Sequence, residues 1–178
     1  MSKVLKIVFC CAALLSCNRL APAQRADLID PCGDPAMESS AWSAISGKVL
    51  KVEDGDTFTI SLKGKGVKRI NLIGIEAPKV DQPLGEASRR LLDSLIGGGA
   101  IEVWVKPAWM VRIPAEIAGV VRLRNVGMLD VNLLLIQSGL ARHKKPEPYS
   151  MSNYAECHYV KAEEHARNAR RGLWATRD

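Results

Sequence analysis

Aromatic side chains are scarce. Two Phe, three Tyr and four Trp make up 5% of the 178 residues, which excludes a binding surface built from many stacked rings. The five cysteines contain no Cys-x-x-Cys pair, so a thiolate zinc site is excluded too. Histidine occurs three times. His158 and His165 lie on one predicted helix with no third ligand nearby and read as surface or packing residues. No Ser, Cys or His constellation suggests a hydrolytic triad. No apolar run approaches the roughly 20 residues of a membrane-spanning helix, and there is no internal repeat or low-complexity array. What is present is ordinary globular composition, 47% hydrophobic and 25% charged, which excludes a disordered charged tail and a multi-pass membrane protein. The length suits one domain.

Residues 1–23 read as an export signal. Lys3 and Lys6 precede an unbroken apolar run from Ile7 to Leu15, short for a span but suited to a signal core. Two cleavage readings stand. Ala21-Pro22-Ala23 is a small-x-small site, with cleavage after Ala23. Leu14-Leu15-Ser16-Cys17 resembles a bacterial lipoprotein signal ending at Ser16, which would make Cys17 a lipidated N-terminus. The expected destination is outside the cytoplasm: periplasmic, secreted or lipid-anchored in a bacterial envelope.

Loss of residues 1–23 removes Lys3, Lys6 and Arg19 and no acid, so the formal charge falls from +6 to +3. Residues 24–42 hold Arg25 against Asp27, Asp30, Asp34 and Glu38, a balance of −3, which leaves +6 on residues 43–178. A basic body behind an acidic leader suits a polyanionic partner. Of the cysteines, Cys32 and Cys157 remain after the signal. In an oxidising compartment they suggest one disulfide joining the leader to a C-terminal segment, worth about 2–4 kcal/mol; the other reading is two separate thiols.

Residues 24–44 have no periodicity and read as an irregular leader. From Ile45 the pattern is β, through Val52. Asp54-Gly55 signals a turn, Thr57 to Leu62 alternates at period two, and Val67 to Ile75 is a third strand. Pro83 to Leu95 reads as a helix with Leu84, Ala87, Leu91, Leu92 and Leu95 on one face, stopped by Gly97-Gly98-Gly99. Strands follow at 101–105 and 117–123. Asp130 caps a short helix that Gly139 ends. Lys144 to Pro148 reads as a loop, and Met151 to Arg170 as the last helix. The expected fold is mainly β with three helices: a closed five-stranded barrel of the OB type over residues 45–176.

Several segments also resemble one family in order. Val52-Glu53-Asp54-Gly55-Asp56-Thr57, Ile73-Gly74-Ile75-Glu76-Ala77-Pro78, Gly85-Glu86-Ala87, Asp130-Val131-Asn132, Gly139-Leu140-Ala141 and Gly172-Leu173-Trp174 are similar to landmarks of the staphylococcal nuclease (thermonuclease) family. The resemblance covers about residues 45–175 and implies a five-stranded OB barrel with three helices. It also implies phosphodiester hydrolysis, in which calcium sits on two carboxylates and a backbone carbonyl, a glutamate activates water and two arginines clamp the phosphate.

Carried over residue by residue, the metal positions are Asp56, Glu76 and the carbonyl of Ala77, with Asp54 as the supporting acid. Glu76 stands where the family usually has Asp, a change that flexible calcium ligation tolerates. The catalytic positions are substituted: Arg, Glu and Arg become Asn71, Lys79 and Glu116. A protonated lysine is a poor base, and losing a positioned base costs on the order of 10²–10⁴ in rate. Two rescues are open: a charge swap with Glu116 as base and Lys79 facing phosphate, or Arg69 or Arg112 swinging in. The plainer reading pairs Lys79 with Glu116 across a disused cleft. Arg142, Lys144 and Lys145 form the densest basic run, either a solvated loop or phosphate contacts. Arg122 and Arg124 read as a solvated strand face.

The expectation is an exported monomer, catalytically impaired, that binds nucleic acid or another polyanion or envelope partner, with no nucleotide cofactor. The alternatives are an active calcium-dependent nuclease of DNA or RNA with a rearranged site, and a structural envelope lipoprotein.

Overall fold

A computed structural model describes residues 30–33, 42–105, 115–124, 127–145 and 151–175. The export signal, Cys17 and Arg112 lie outside them. Residues 30–33 form a turn of their own, with the Gly33 N–H donating to the Asp30 carbonyl at 3.0 Å. Cys32 and Cys157 are both disulfide-bonded, so the reading of two separate thiols falls.

The barrel is built from β1 (Ser43–Val52), β2 (Thr57–Leu62), β3 (Gly66–Leu72), β5 (Ala100–Val105) and β6 (Glu116–Leu123). Two-residue strands β4 (Ile75–Glu76), β7 (Leu129–Asp130) and β8 (Arg142–His143) decorate it. Strand order is β3-β2-β1-β5-β6, and a parallel pairing of β3 with β6 closes the ring. Alternation explains the core. Phe58, Ile60 and Leu62 point inward from β2, Ile70 and Leu72 from β3, and Ile101, Val103 and Val105 from β5. In β1 the register shifts between Val49 and Lys51. This bulge turns Leu50 outward, 52% exposed, and returns Val52 to the core. The third strand is shorter than expected. A turn at Ile73-Gly74 cuts it, and Ile75–Glu76 pairs with Arg142–His143 instead.

Three helices follow: α1 (Gly85–Ile96), α2 (Val131–Gln137) and α3 (Asn153–Asn168). The buried face of α1 is Gly85, Ser88, Leu92 and Ile96. Leu84 is not on it. It precedes the helix in a left-handed conformation, φ 65°, and is exposed. Asp130 caps α2 by accepting from the Leu133 N–H at 2.9 Å, and the Tyr159 hydroxyl of α3 donates to the same carboxylate at 3.1 Å. Ser152 caps α3 through the Ala155 N–H. Arg122 and Arg124 are not a bare solvated face: Arg122 lies over the Trp104 ring, and Arg124 pairs with Glu102 at 2.6 Å.

Asn132 on α2 ties helix to barrel. It is fully buried, accepts from the Val121 N–H and donates to the Ile73 carbonyl at 2.9 Å. Asn132→Ala leaves those backbone groups unpaired in the core. The expected loss is about 2–4 kcal/mol, measured by urea denaturation; a loss under about 0.5 kcal/mol would show that the bonds carry no net stability.

Candidate functional site

The turn from β1 to β2 places the first acids. The N–H groups of Glu53 and Asp54 both donate to the Thr57 carbonyl, at 2.9 and 3.2 Å. Gly55 sits at its tip. A Cβ there would collide with Ser88 and stand 2.7 Å from the Ala77 Cβ, so only glycine lets the turn lie against α1 and the end of β4. The turn buries Asp54 and Asp56, 7% and 9% exposed.

Every oxygen of these two carboxylates already accepts a bond from the protein. Asp54 Oδ1 accepts from the Asp56 N–H at 3.0 Å, and Asp54 Oδ2 from Lys79 Nζ at 2.8 Å. Asp56 Oδ1 accepts from the Thr57 hydroxyl at 2.8 Å and from Lys79 Nζ at 3.3 Å; Asp56 Oδ2 accepts from the Ala77 N–H at 2.7 Å. Burial pulls the Asp54 carboxyl upward, but the Lys79 ammonium and the Asp56 N–H outweigh it and hold Asp54 below the usual carboxylate range. Burial, reinforced by the neighbouring Asp54 charge, pushes Asp56 up. Lys79 is held above its ordinary value: the two acids outweigh its desolvation.

The other calcium position diverges. Glu76 is largely exposed and its Oε1 turns to Lys144 Nζ at 3.3 Å. Asp54, Asp56 and Glu76 do not gather three ligand atoms within 4.8 Å of one another. Ala77 meets Asp56 through its N–H, a donor. Calcium takes six to eight oxygens; the donors crowding the acid pair do not fit it.

The substituted catalytic positions are split between two clusters. Asn71 and Arg69 project from the same face of β3. Asn71 Oδ1 lies 3.4 Å from the Thr57 hydroxyl. Arg69 pairs with Glu53 at 2.9 Å and with Glu116 at 3.3 Å. Its hydrogen bond to Glu53, aided by that to Glu116, holds the guanidinium further above its ordinary value. The expected Lys79–Glu116 pair is therefore replaced by two others. The parallel register sets Arg69 directly opposite Glu116, while Lys79 is bent over Asp54 and Asp56. Each member of the charge-swap pair thus makes its contacts elsewhere, Glu116 with Arg69 and Lys79 with Asp54 and Asp56. Glu53 and Thr57 complete these clusters; both lie in the Val52–Thr57 motif, which assigned them no role, and Glu53 faces Arg69 only once β1, β2 and β3 are paired.

The basic run is not simply a loop. Arg142 opposes Glu76 in the β4–β8 pair, and the Lys144 N–H donates to the Gly74 carbonyl at 3.0 Å. Lys144 and Lys145 thereby reach the same cleft as Asp56, Arg69, Asn71 and Lys79, about 570 Å³ in volume. Arg142 lies apart, its guanidinium 5.1 Å from the Trp174 ring centre with Arg167 at 3.7 Å. It lines an adjoining hollow of about 610 Å³ that shares Glu76 and Lys79 with the first.

A model of the staphylococcal nuclease homologue family matches residues 69–176, more than half of the chain. The chain belongs to this family. Its closed barrel with three helices agrees with that membership. Relatives include Protein ParB of Escherichia coli, 26% identical over 77% of this chain and 76% of that protein. An uncharacterized endonuclease of Haemophilus influenzae is 29% identical over 72% of this chain and 65% of its own length. The probable staphylococcal-like nuclease CAN2 of Oryza sativa subsp. japonica is 32% identical, over 61% of this chain and 26% of the longer plant protein. The family match begins at Arg69, after the Asp54–Asp56 turn, so the assignment of those acids rests on the motif.

Proposed function

We propose that this chain is an exported family member that has lost metal-assisted phosphodiester hydrolysis and binds the phosphate backbone of single-stranded nucleic acid in the cleft between β3, β4 and β8. The carrying observation is the cleft itself. Arg69, Lys79, Lys144 and Lys145 converge on it, and the position of the family's water-activating glutamate holds an ammonium. Arg69 and Lys144 are paired with acids; the Arg69–Glu116 and Lys144–Glu76 pairs are exposed, with side-chain exposures of 42% and 63% on the cations, and the part-buried Glu53 holds Arg69 at the cleft edge. Exposed pairs are worth only about 0–1 kcal/mol, so phosphate oxygens displace the carboxylates at little cost. Asn71 offers a neutral amide at the edge of the site. The export signal and the disulfide support a role outside the cytoplasm.

The test is binding of a fluorescent single-stranded DNA or RNA oligonucleotide by purified residues 24–178 at several salt concentrations. Three phosphate contacts predict a log–log salt slope of about −2. The Arg69→Ala/Lys144→Ala/Lys145→Ala variant should weaken binding at least about tenfold and flatten that slope. Binding that this variant leaves unchanged would sink the reading, and so would no binding at about 50 mM salt; the latter would leave a structural envelope protein.

An active nuclease with a rearranged site is the second reading. It is favoured by the placement of Arg69 in the same cleft as Asp56 and by the endonuclease and nuclease names of two relatives. Cleavage that needs calcium, stops with chelator and disappears in Asp56→Ala would establish it.

A further inference from the structure

The geometry points to Lys79 as a tethered cation: its ammonium occupies, between Asp54 and Asp56, the role that a divalent ion fills elsewhere in the family, and it makes the acid pair independent of metal. This inference concerns the acid pair alone and does not rest on nucleic-acid binding.

Three observations carry it. First, one ammonium is shared by both acids, donating to Asp54 Oδ2 at 2.8 Å and to Asp56 Oδ1 at 3.3 Å, which cuts the charge of the pair from −2 to −1. Two buried carboxylates two residues apart need a shared cation, because like charges at that range raise each other's cost of ionisation. Second, the remaining oxygens are taken by N–H and O–H donors, from Asp56, Thr57 and Ala77. A divalent ion would have to displace these bonds as well as the ammonium. Third, the lysine is held from its backbone outward. Its N–H donates to Gln82 Oε1 at 2.9 Å, and its carbonyl accepts from the Gln82 N–H at 2.8 Å. Gly85 closes this loop; a Cβ there would fall on the Lys79 carbonyl. Such a tight turn fixes the origin of the side chain, so reaching the acids costs less side-chain entropy than for a lysine on an open loop. An ammonium has three donors. Two face the acids, and the Lys79 side chain is 55% exposed on the cleft side, where the third can meet an anion.

The test is calcium titration of the full mature chain by calorimetry and thermal unfolding, on wild type and on Lys79→Ala. The wild type should show no calcium heat and no calcium-dependent change in Tm up to millimolar ion. Lys79→Ala should unfold roughly 5 °C lower in chelator. Calcium at about 100 times its dissociation constant should then restore at least half of that loss. Lys79→Gln, which keeps one hydrogen bond to the acids, serves if the alanine variant does not fold. Stoichiometric calcium uptake by wild type, as tight as that of the variants, would overturn the proposal. Calcium that leaves all three proteins unmoved would reduce Lys79 to an ordinary ion pair and overturn it equally. Oligonucleotide affinity is not read in this experiment, so its outcome is separate from that of the binding assay.

Discussion

Gly85→Ala should destabilise the domain by about 3 kcal/mol or more, at the upper end of what overpacking costs. Gly85 begins α1, and its missing Cβ is the space occupied by the Lys79 carbonyl. That carbonyl belongs to backbone, which is pinned by Gln82 and followed by Pro83, so it cannot rotate aside as a side-chain tip would. Relief requires either α1 or the 79–84 loop to move. Movement of α1 disrupts Ser88, Leu92 and Ile96, which are buried to at least 98%. Movement of the loop carries the Lys79 ammonium off Asp54 and Asp56. The matched control is Gly99→Ala, where the nearest atom is the Ile96 carbonyl at 3.5 Å; its effect should stay within about 0.5 kcal/mol. Urea denaturation of both variants gives the comparison. Equal midpoints would mean that the close approach at Gly85 is not a constraint.

The second large effect is a gain. Asn71→Arg, Lys79→Glu and Glu116→Arg together restore the family's residue types at its three catalytic positions. The triple variant should cleave single-stranded DNA in a calcium-dependent manner at least about 100-fold faster than wild type, which should not exceed background. Each restored group is worth on the order of 10²–10³ when properly placed, but such gains are not additive and depend on sub-ångström geometry. Lys79→Glu removes the ammonium from Asp54 and Asp56 and supplies a third carboxylate there. Glu116→Arg breaks the Arg69–Glu116 pair and trades a negative for a positive charge opposite β3. Asn71→Arg puts a guanidinium on the cleft face of β3, beside Thr57. Single variants should remain near background. An inactive triple variant that stays folded would show that the cleft has changed in more than these side chains. Wild type as fast as the triple variant would show that hydrolysis was never lost.

Much of this was legible beforehand because it rests on local rules. Thr57 to Leu62 alternates, and Phe58, Ile60 and Leu62 are indeed buried. Asp130 has the chemistry of an N-cap and acts as one. The motif order assigned Asn71, Lys79 and Glu116 from spacing alone. What failed did so for reasons of register. Of the stripe from Leu84 to Leu95, Leu92 is buried and Leu91 and Leu95 pack against the core, but Leu84 lies outside the helix and Ser88 takes the core place expected of Ala87. The bulge at Leu50 left no signature that alternation alone could read. Lys79 and Glu116 looked like partners because their charges are complementary and both occupy catalytic positions, yet neither contacts the other.

The barrel class and the Asp130 cap of α2 follow from sequence, because strand alternation and capping act over a few residues. Which charge meets which depends on how distant strands and turns pair. Arg69 faces Glu116 because β3 and β6 pair in parallel across 47 residues. Lys144 reaches Glu76 because β8 pairs with β4 across 68. Lys79 rests on Asp54 because a turn and one glycine bend it back over an acid 25 residues earlier. Ion pairs of this kind draw on distance in space, which sequence separation does not encode, and they decide whether the acids of this cleft are open to a metal or already engaged by a lysine.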